Sequence, residues 1–244
     1  MRPLTAQDII EVWERGQDTH PLDRALHILS PALPGAEWDF LARLTLGQRN
    51  TCLYALRGQT FGFTLRAYAE CPRCACPLEF SADVRDFCDS ERMPNVEREQ
   101  LLSVGGYELR FRPLDSRDLV AAARRGSLSP ARDELIRRCL LEARKGETTL
   151  QASELPEEIV AALAEHASDC DPRAETLLGL ACAACGHEWT PLLDIASFFW
   201  REIAAEAKRL LLAVHTLAGA YGWREADILS MSAVRRQMYL EMVS

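Results

Sequence analysis

Two cysteine pairs share one spacing: Cys71 and Cys74 in "ECPRCACPLEF", and Cys182 and Cys185 in "CAACGHEW". A two-residue gap lets a tight turn bring both sulfurs to one side, where N–H groups inside the turn support the thiolates. Two such turns complete a tetrahedral four-sulfur set, the arrangement that structural zinc favours. Apolar or aromatic strand positions follow each pair, Leu78 and Phe80 in the first and Trp189 in the second, which is the layout of a zinc ribbon. Gly186, directly after Cys185, suits a turn exit that needs positive φ. Alternatives stay open. Cys76 could replace Cys74, His187 could replace a thiolate, and the knuckles could hold no metal at all. A redox pair fits less well, because a thioredoxin-like site opens a helix and both pairs here fall between strand-like segments. The expected ligands are Cys71, Cys74, Cys182 and Cys185, with Zn2+ as a structural ion. Four thiolates leave no open coordination position for water, so such a site braces a fold and does not hydrolyse.

The elements that must position these turns can be read around them. "TFGFTLRAYAEC" and "CPLEFSAD" predict strands into and out of the first pair, and "RAETLLGLACAACGHEWTPLL" repeats the pattern at the second. "GGYELRFRPL" alternates Tyr107, Leu109 and Phe111 against Glu108, Arg110 and Arg112, the period of a half-buried strand. Between the pairs, Ser116 is an expected cap for one helix, Ser129–Pro130 starts another that runs to Gly146, and "LPEEIVAALAEHASDCDP" is a third. Closing so long an excursion costs entropy that grows slowly with length, and metal binding offsets it.

Helices also fill both ends. Thr5 and Asp8 form a capping-box-like start, Pro21 opens a second helix, and others cover Trp38–Leu44 and the region of Cys52–Leu56. A long helix is expected from Asp194 to Ala220, with Ile195, Phe199, Ile203, Leu210 and Leu217 among its apolar positions, and two shorter helices follow. The expected fold is α+β: a mostly helical body with a small β-rich zinc-ribbon-like module formed by two distant knuckles. Its divisions are a helical region 1–58, a first half-module 59–115, a helical insertion 116–172, a second half-module 173–193, and the C-terminal helices 194–244.

Other chemistry is sparse. The five histidines form no zincin-type pair, and "EHASDCD" reads as a polar helix end despite holding His166, Asp169, Cys170 and Asp171. Glu202 and Glu206 lie about one helical turn apart, but surface carboxylates are the ordinary explanation. No nucleophile, base and oxyanion set assembles, so a non-enzymatic protein is expected. Phe198, Phe199 and Trp200 are consecutive and cannot all face one core. Trp200, Tyr221, Trp223 and Tyr239 are therefore candidates for a partner-binding face.

A net charge of −8 without a dense basic stripe argues against nucleic acid as the partner. Nine cysteines in 244 residues exceed no disulfide-scaffold density, and an odd total argues against full pairing. The N-terminus lacks signal-peptide features, and "LLLAVHTLAGAYGW" is too short to span a membrane. A cytoplasmic protein with no membrane association is expected.

The C-terminal stretch carries a resemblance. Trp200 with Arg201 and Glu202, Leu217 with "YGW" at Tyr221–Trp223, "EADILSMS", and Arg235/Arg236 with Tyr239 resemble the T-even-phage-type baseplate hub assembly proteins of contractile tails and related injection systems. Trp13 and the "HPLDRAL" segment at His20–Leu26 are similar to the start of such proteins. The resemblance is strongest after Phe198; smaller members without cysteine knuckles leave the metal module as a feature of a distinct branch. It implies a hub assembly chaperone or minor baseplate component whose partners are a baseplate hub, spike or tape-measure protein. A zinc-ribbon adaptor in transcription or another nucleic-acid process is the alternative.

Overall fold

Local signals set most of the element ends. The computed structural model describes residues 1–87 and 98–243, so Cys88 lies outside the described residues. In α1 (Ala6–Gln17), the Thr5 hydroxyl accepts from the Asp8 N–H, and the Asp8 carboxylate accepts from the Thr5 N–H. Each group satisfies a helix-end donor that the other leaves free. Pro21 opens α2 (Pro21–Leu29), where its missing N–H costs nothing. After α3 (Trp38–Ala42), a second reciprocal cap between Thr45 and Gln48 starts α4 (Leu46–Phe61). This helix is buried on several sides, polar residues Arg49, Asn50 and Arg57 included. That burial explains why apolar periodicity shows only its middle.

Strands β1 (Thr64–Glu70) and β2 (Pro77–Asp83) pair antiparallel, Thr64 opposite Asp83 and Glu70 opposite Pro77, with the first cysteine pair in their turn. A separate four-stranded antiparallel sheet follows. It contains β3 (Gln100–Val104) and β4 (Tyr107–Phe111). The chain then makes α5 (Ser116–Ala123) and α6 (Leu128–Cys139). It returns as β5 (Leu140–Lys145) beside β4, with β6 (Thr148–Thr149) at the edge. Helix α7 (Glu157–Cys170) packs on this sheet through Ile159, Val160 and Leu163. The second cysteine hairpin is β7 (Leu180–Ala181) with β8 (Glu188–Trp189). Helices α8 (Ile195–Tyr221), α9 (Glu225–Ser230) and α10 (Ala233–Val243) complete the described chain.

Several expectations change. The strand Tyr107–Phe111, assigned from sequence to the first half of the metal module, joins the separate sheet; Leu109 and Phe111 are buried in its core. Leu140–Lys145 is a strand and does not prolong α6 to Gly146. Its helix-favouring residues yield to pairing with β4, which buries Ala143 opposite Leu109 and sets Leu140 opposite Phe111. The cap of α5 is Asp115, one residue before Ser116, because its carboxylate accepts from the N–H groups of Arg117 and Asp118. The cap position of α6 is Ser127, which leaves Pro130 in the first turn where a proline is tolerated.

Two apolar cores form among the described residues. The larger joins α1, α2, α4 and α8 through Ile10, Ile28, Leu53, Phe199 and Ile203; the smaller lies between the four-stranded sheet and α7. A largely buried ion pair locks the larger core to the strands that carry the first cysteine pair. Arg57 on α4 meets Glu202 on α8 through two hydrogen bonds of 2.9 and 2.6 Å. The same guanidinium donates to the carbonyls of Gly62 and Thr64, where the chain turns from α4 into β1. Among the described residues, no helix is long and apolar enough to cross a membrane.

Candidate metal centre

The two knuckles have the same backbone. In the first, Cys71 N–H donates to the Cys76 carbonyl at 3.0 Å and Ala75 N–H to the Cys71 carbonyl at 2.8 Å. In the second, Cys182 N–H donates to the His187 carbonyl at 2.9 Å and Gly186 N–H to the Cys182 carbonyl at 2.8 Å. The residue after the second cysteine takes a left-handed conformation in both, φ 69° at Gly186 and φ 56° at Ala75. Ala75 is the one non-glycine residue with positive φ among the described residues. A side chain there carries a steric cost that glycine avoids, and the knuckle geometry imposes it regardless.

The sulfurs meet across the two turns. Cys71 Sγ lies 3.7 Å from Cys185 Sγ, and Cys74 Sγ lies 3.6 Å from Cys182 Sγ, although 114 and 108 residues separate the partners in sequence. All four ligand atoms fall within 4.8 Å of one another. Bonds of about 2.3 Å from a tetrahedral zinc ion would space sulfurs about 3.8 Å apart, close to what is found. These separations are far beyond a disulfide bond of about 2.05 Å, and the four cysteines are free. Cys71 and Cys182 are buried, Cys185 is half-buried, and Cys74 is exposed. Cys76 stays outside the cluster with its thiol toward the Pro77 carbonyl, and His187 stacks parallel to Trp189 at 6.0 Å.

Electrostatics within the cluster point the same way. N–H groups of Cys185 and Ala184 pull the Cys182 thiol down to about 6. At Cys74 the Cys76 N–H favours the thiolate, but the sulfurs of Cys185, Cys182 and Cys71 outweigh it and push the value up to about 12. Four sulfurs at this spacing cannot all carry charge unless a cation lies among them. The donor set and the spacing therefore fit a metal ion, held by sulfur on every side.

How distant turns come together depends on α4. Its C-terminus feeds β1 through Gly62, which has φ 92°. Its N-terminus is held by the chain that leads to the second knuckle: Gly47 N–H donates to Asp171 Oδ2 at 2.9 Å, and Asn50 Nδ2 donates to the carbonyls of Arg173 and Ala174 at 3.1 and 3.0 Å. A Cβ on Gly47 would overlap the Asp171 carboxylate, so glycine is needed for this approach. From there a ladder runs to the second knuckle, with Leu193 N–H on the Thr176 carbonyl and Leu178 N–H on the Pro191 carbonyl, ending at β7 and β8. In the sequence, Asp171 reads only as part of a polar helix end. Its role as a helix cap supplied from 124 residues away leaves no local signal.

The remaining candidates separate into two places. Trp200 packs inward: Arg24 lies over its ring at 4.6 Å, and a side chain on Gly16 would overlap it. Tyr221, Trp223 and Tyr239 form one cluster beyond the end of α8. Tyr221 stacks on Trp223 with centroids 4.4 Å apart, and Tyr239 meets the Trp223 ring edge-on at 4.8 Å. Glu202 and Glu206, possible paired carboxylates, are each engaged elsewhere, with Arg57 and Arg209 respectively. His166 packs edge-on against Phe111. No family model matches the chain, and no curated protein or solved structure matches it.

Proposed function

We propose that the chain is a non-enzymatic assembly factor or minor structural component for the baseplate hub or spike of a contractile tail or related injection system. In this reading the four cysteines hold a structural zinc ion, and the C-terminal helices dock the client. The observation that carries it is the outward face of α10. Val234, Met238 and Met242 recur every four residues, one helical face, and are 73%, 55% and 67% exposed. Exposed Leu212 on α8 and the Tyr221–Trp223–Tyr239 cluster add apolar and aromatic surface of the kind that interfaces use. The resemblance of the same segment to hub assembly proteins supplies the class of client.

Co-production with the hub, spike and tape-measure proteins is the direct test. At least one should co-purify with the chain, and replacing Val234, Met238 and Met242 together by aspartate should abolish the association while the fold persists. Deleting the gene should leave cells without assembled tails. Normal tails in the deletion would end the proposal. Steeply salt-dependent binding to random duplex DNA would instead favour the zinc-ribbon adaptor reading.

A further inference from the structure

A cavity of about 440 Å³ lies where α4, α7 and the start of α8 meet, apart from the sulfur cluster and from α10. Its walls are mainly apolar, with Leu46, Leu114, Leu119, Ile136, Val160 and Leu163 among them. Into this lining comes the side chain of Arg49, which is only 7% exposed. Its Nε and Nη2 donate to the neighbouring Asn50 Oδ1 at 3.2 and 3.0 Å, and its Nη1 donates to Ser116 Oγ at 3.3 Å. All of these acceptors are neutral. Arg57, buried to a similar depth, has Glu202 as a bidentate partner, whereas no carboxylate hydrogen-bonds to Arg49 among the described residues.

Apart from Glu175, the other charged groups of the cavity are already engaged. Arg112 is paired with Asp118 and Arg132 with Glu157. Asp171 accepts from the Gly47 N–H, and Asp194 accepts from the N–H and hydroxyl of Ser197 at the start of α8. Glu175 is exposed. Burial pulls the Arg49 value down, and Asp194 and Asp171 act on it only through space. A guanidinium offers five N–H donors in a flat fork that matches a carboxylate, and an isolated buried charge is costly. One cation among neighbouring acids suits a single negative charge and disfavours a dianion such as phosphate. Apolar walls of this volume suit an aliphatic chain.

We propose that this cavity binds an amphipathic monoanion, a medium-chain fatty acid whose carboxylate meets Arg49 and whose chain lies along the leucine-rich walls. The site is independent of the assembly role, so neither reading falls with the other. Calorimetric titration of the full chain with decanoate, decanol and decyltrimethylammonium, each below its aggregation concentration, tests it. Decanoate should bind saturably with one site. Decanol should bind at least about tenfold more weakly, the difference expected for a charge-assisted contact, and the cationic analogue should not bind. Arg49→Met should lower decanoate to the level of decanol. Because that variant removes a core side chain, Ala164→Phe serves as the second: it fills the cavity from an exposed wall position and keeps Arg49. It should abolish decanoate binding without lowering the melting temperature. Equal affinity for decanoate and decanol, absence of saturable decanoate binding, or undiminished binding in the filled variant would each overturn the proposal.

Discussion

Cys74 and Cys76 are two residues apart, yet only Cys74 enters the sulfur cluster, because the turn closes on the Cys71 carbonyl before Cys76 is reached. Replacing Cys71 and Cys74 together by serine should therefore remove bound zinc and lower the melting temperature, while Cys76→Ser should leave both unchanged. Metal analysis beside thermal unfolding checks this; zinc retained by the double variant would exclude the shared site. Ala75 offers a test in the opposite direction. Glycine relieves the left-handed strain but adds freedom to the unfolded chain, for a net gain of about 0.5–1 kcal/mol. Ala75→Gly should thus raise the melting temperature by about 1–4 °C, and a lower value would show that φ at this position is not the limiting strain.

At the scale of elements, α4 governs the arrangement, catching the chain of the second knuckle at one end and launching the first at the other. Its bond to α8 is the Arg57–Glu202 pair, with side-chain exposures of 4% and 27%. Removing the carboxylate strands a buried guanidinium; after discounting for the exposure of Glu202, the cost should be about 2–4 kcal/mol. Denaturant unfolding of Glu202→Gln measures it, and a change below about 0.5 kcal/mol would mean that the carbonyls of Gly62 and Thr64 suffice for Arg57. Elements with local signals were legible in the sequence: the cap at Thr5, the proline start of α2, and the long period of α8. The junction at Cys139–Leu140 was not. No glycine or proline separates α6 from β5, and what makes Leu140–Lys145 extended is a neighbouring strand more than twenty residues earlier in the chain. Likewise, Cys-x-x-Cys spacing announced the four sulfurs that cluster, but nothing local to Asp171, Gly47 or Arg49 announced a cap, a close approach or a charge without a carboxylate hydrogen bond.

Across the whole molecule, the four-stranded sheet and α5 to α7 stand in sequence between the two halves of the four-sulfur cluster. A strong chelator should therefore loosen residues 171–193 first, while the core of α1, α2, α4 and α8 keeps its helicity. Limited proteolysis with far-ultraviolet circular dichroism follows both, and simultaneous collapse would contradict it. Release should be faster in mild acid, since protons compete with the ion for thiolates that only a cation allows to coexist. The shared cluster also orders events during synthesis. Cys71 and Cys74 emerge early but can assemble just half a coordination sphere until the excursion has folded and delivered Cys182 and Cys185. An ion held by all four sulfurs would thus be captured last, and its presence would certify that everything made in between has found its place.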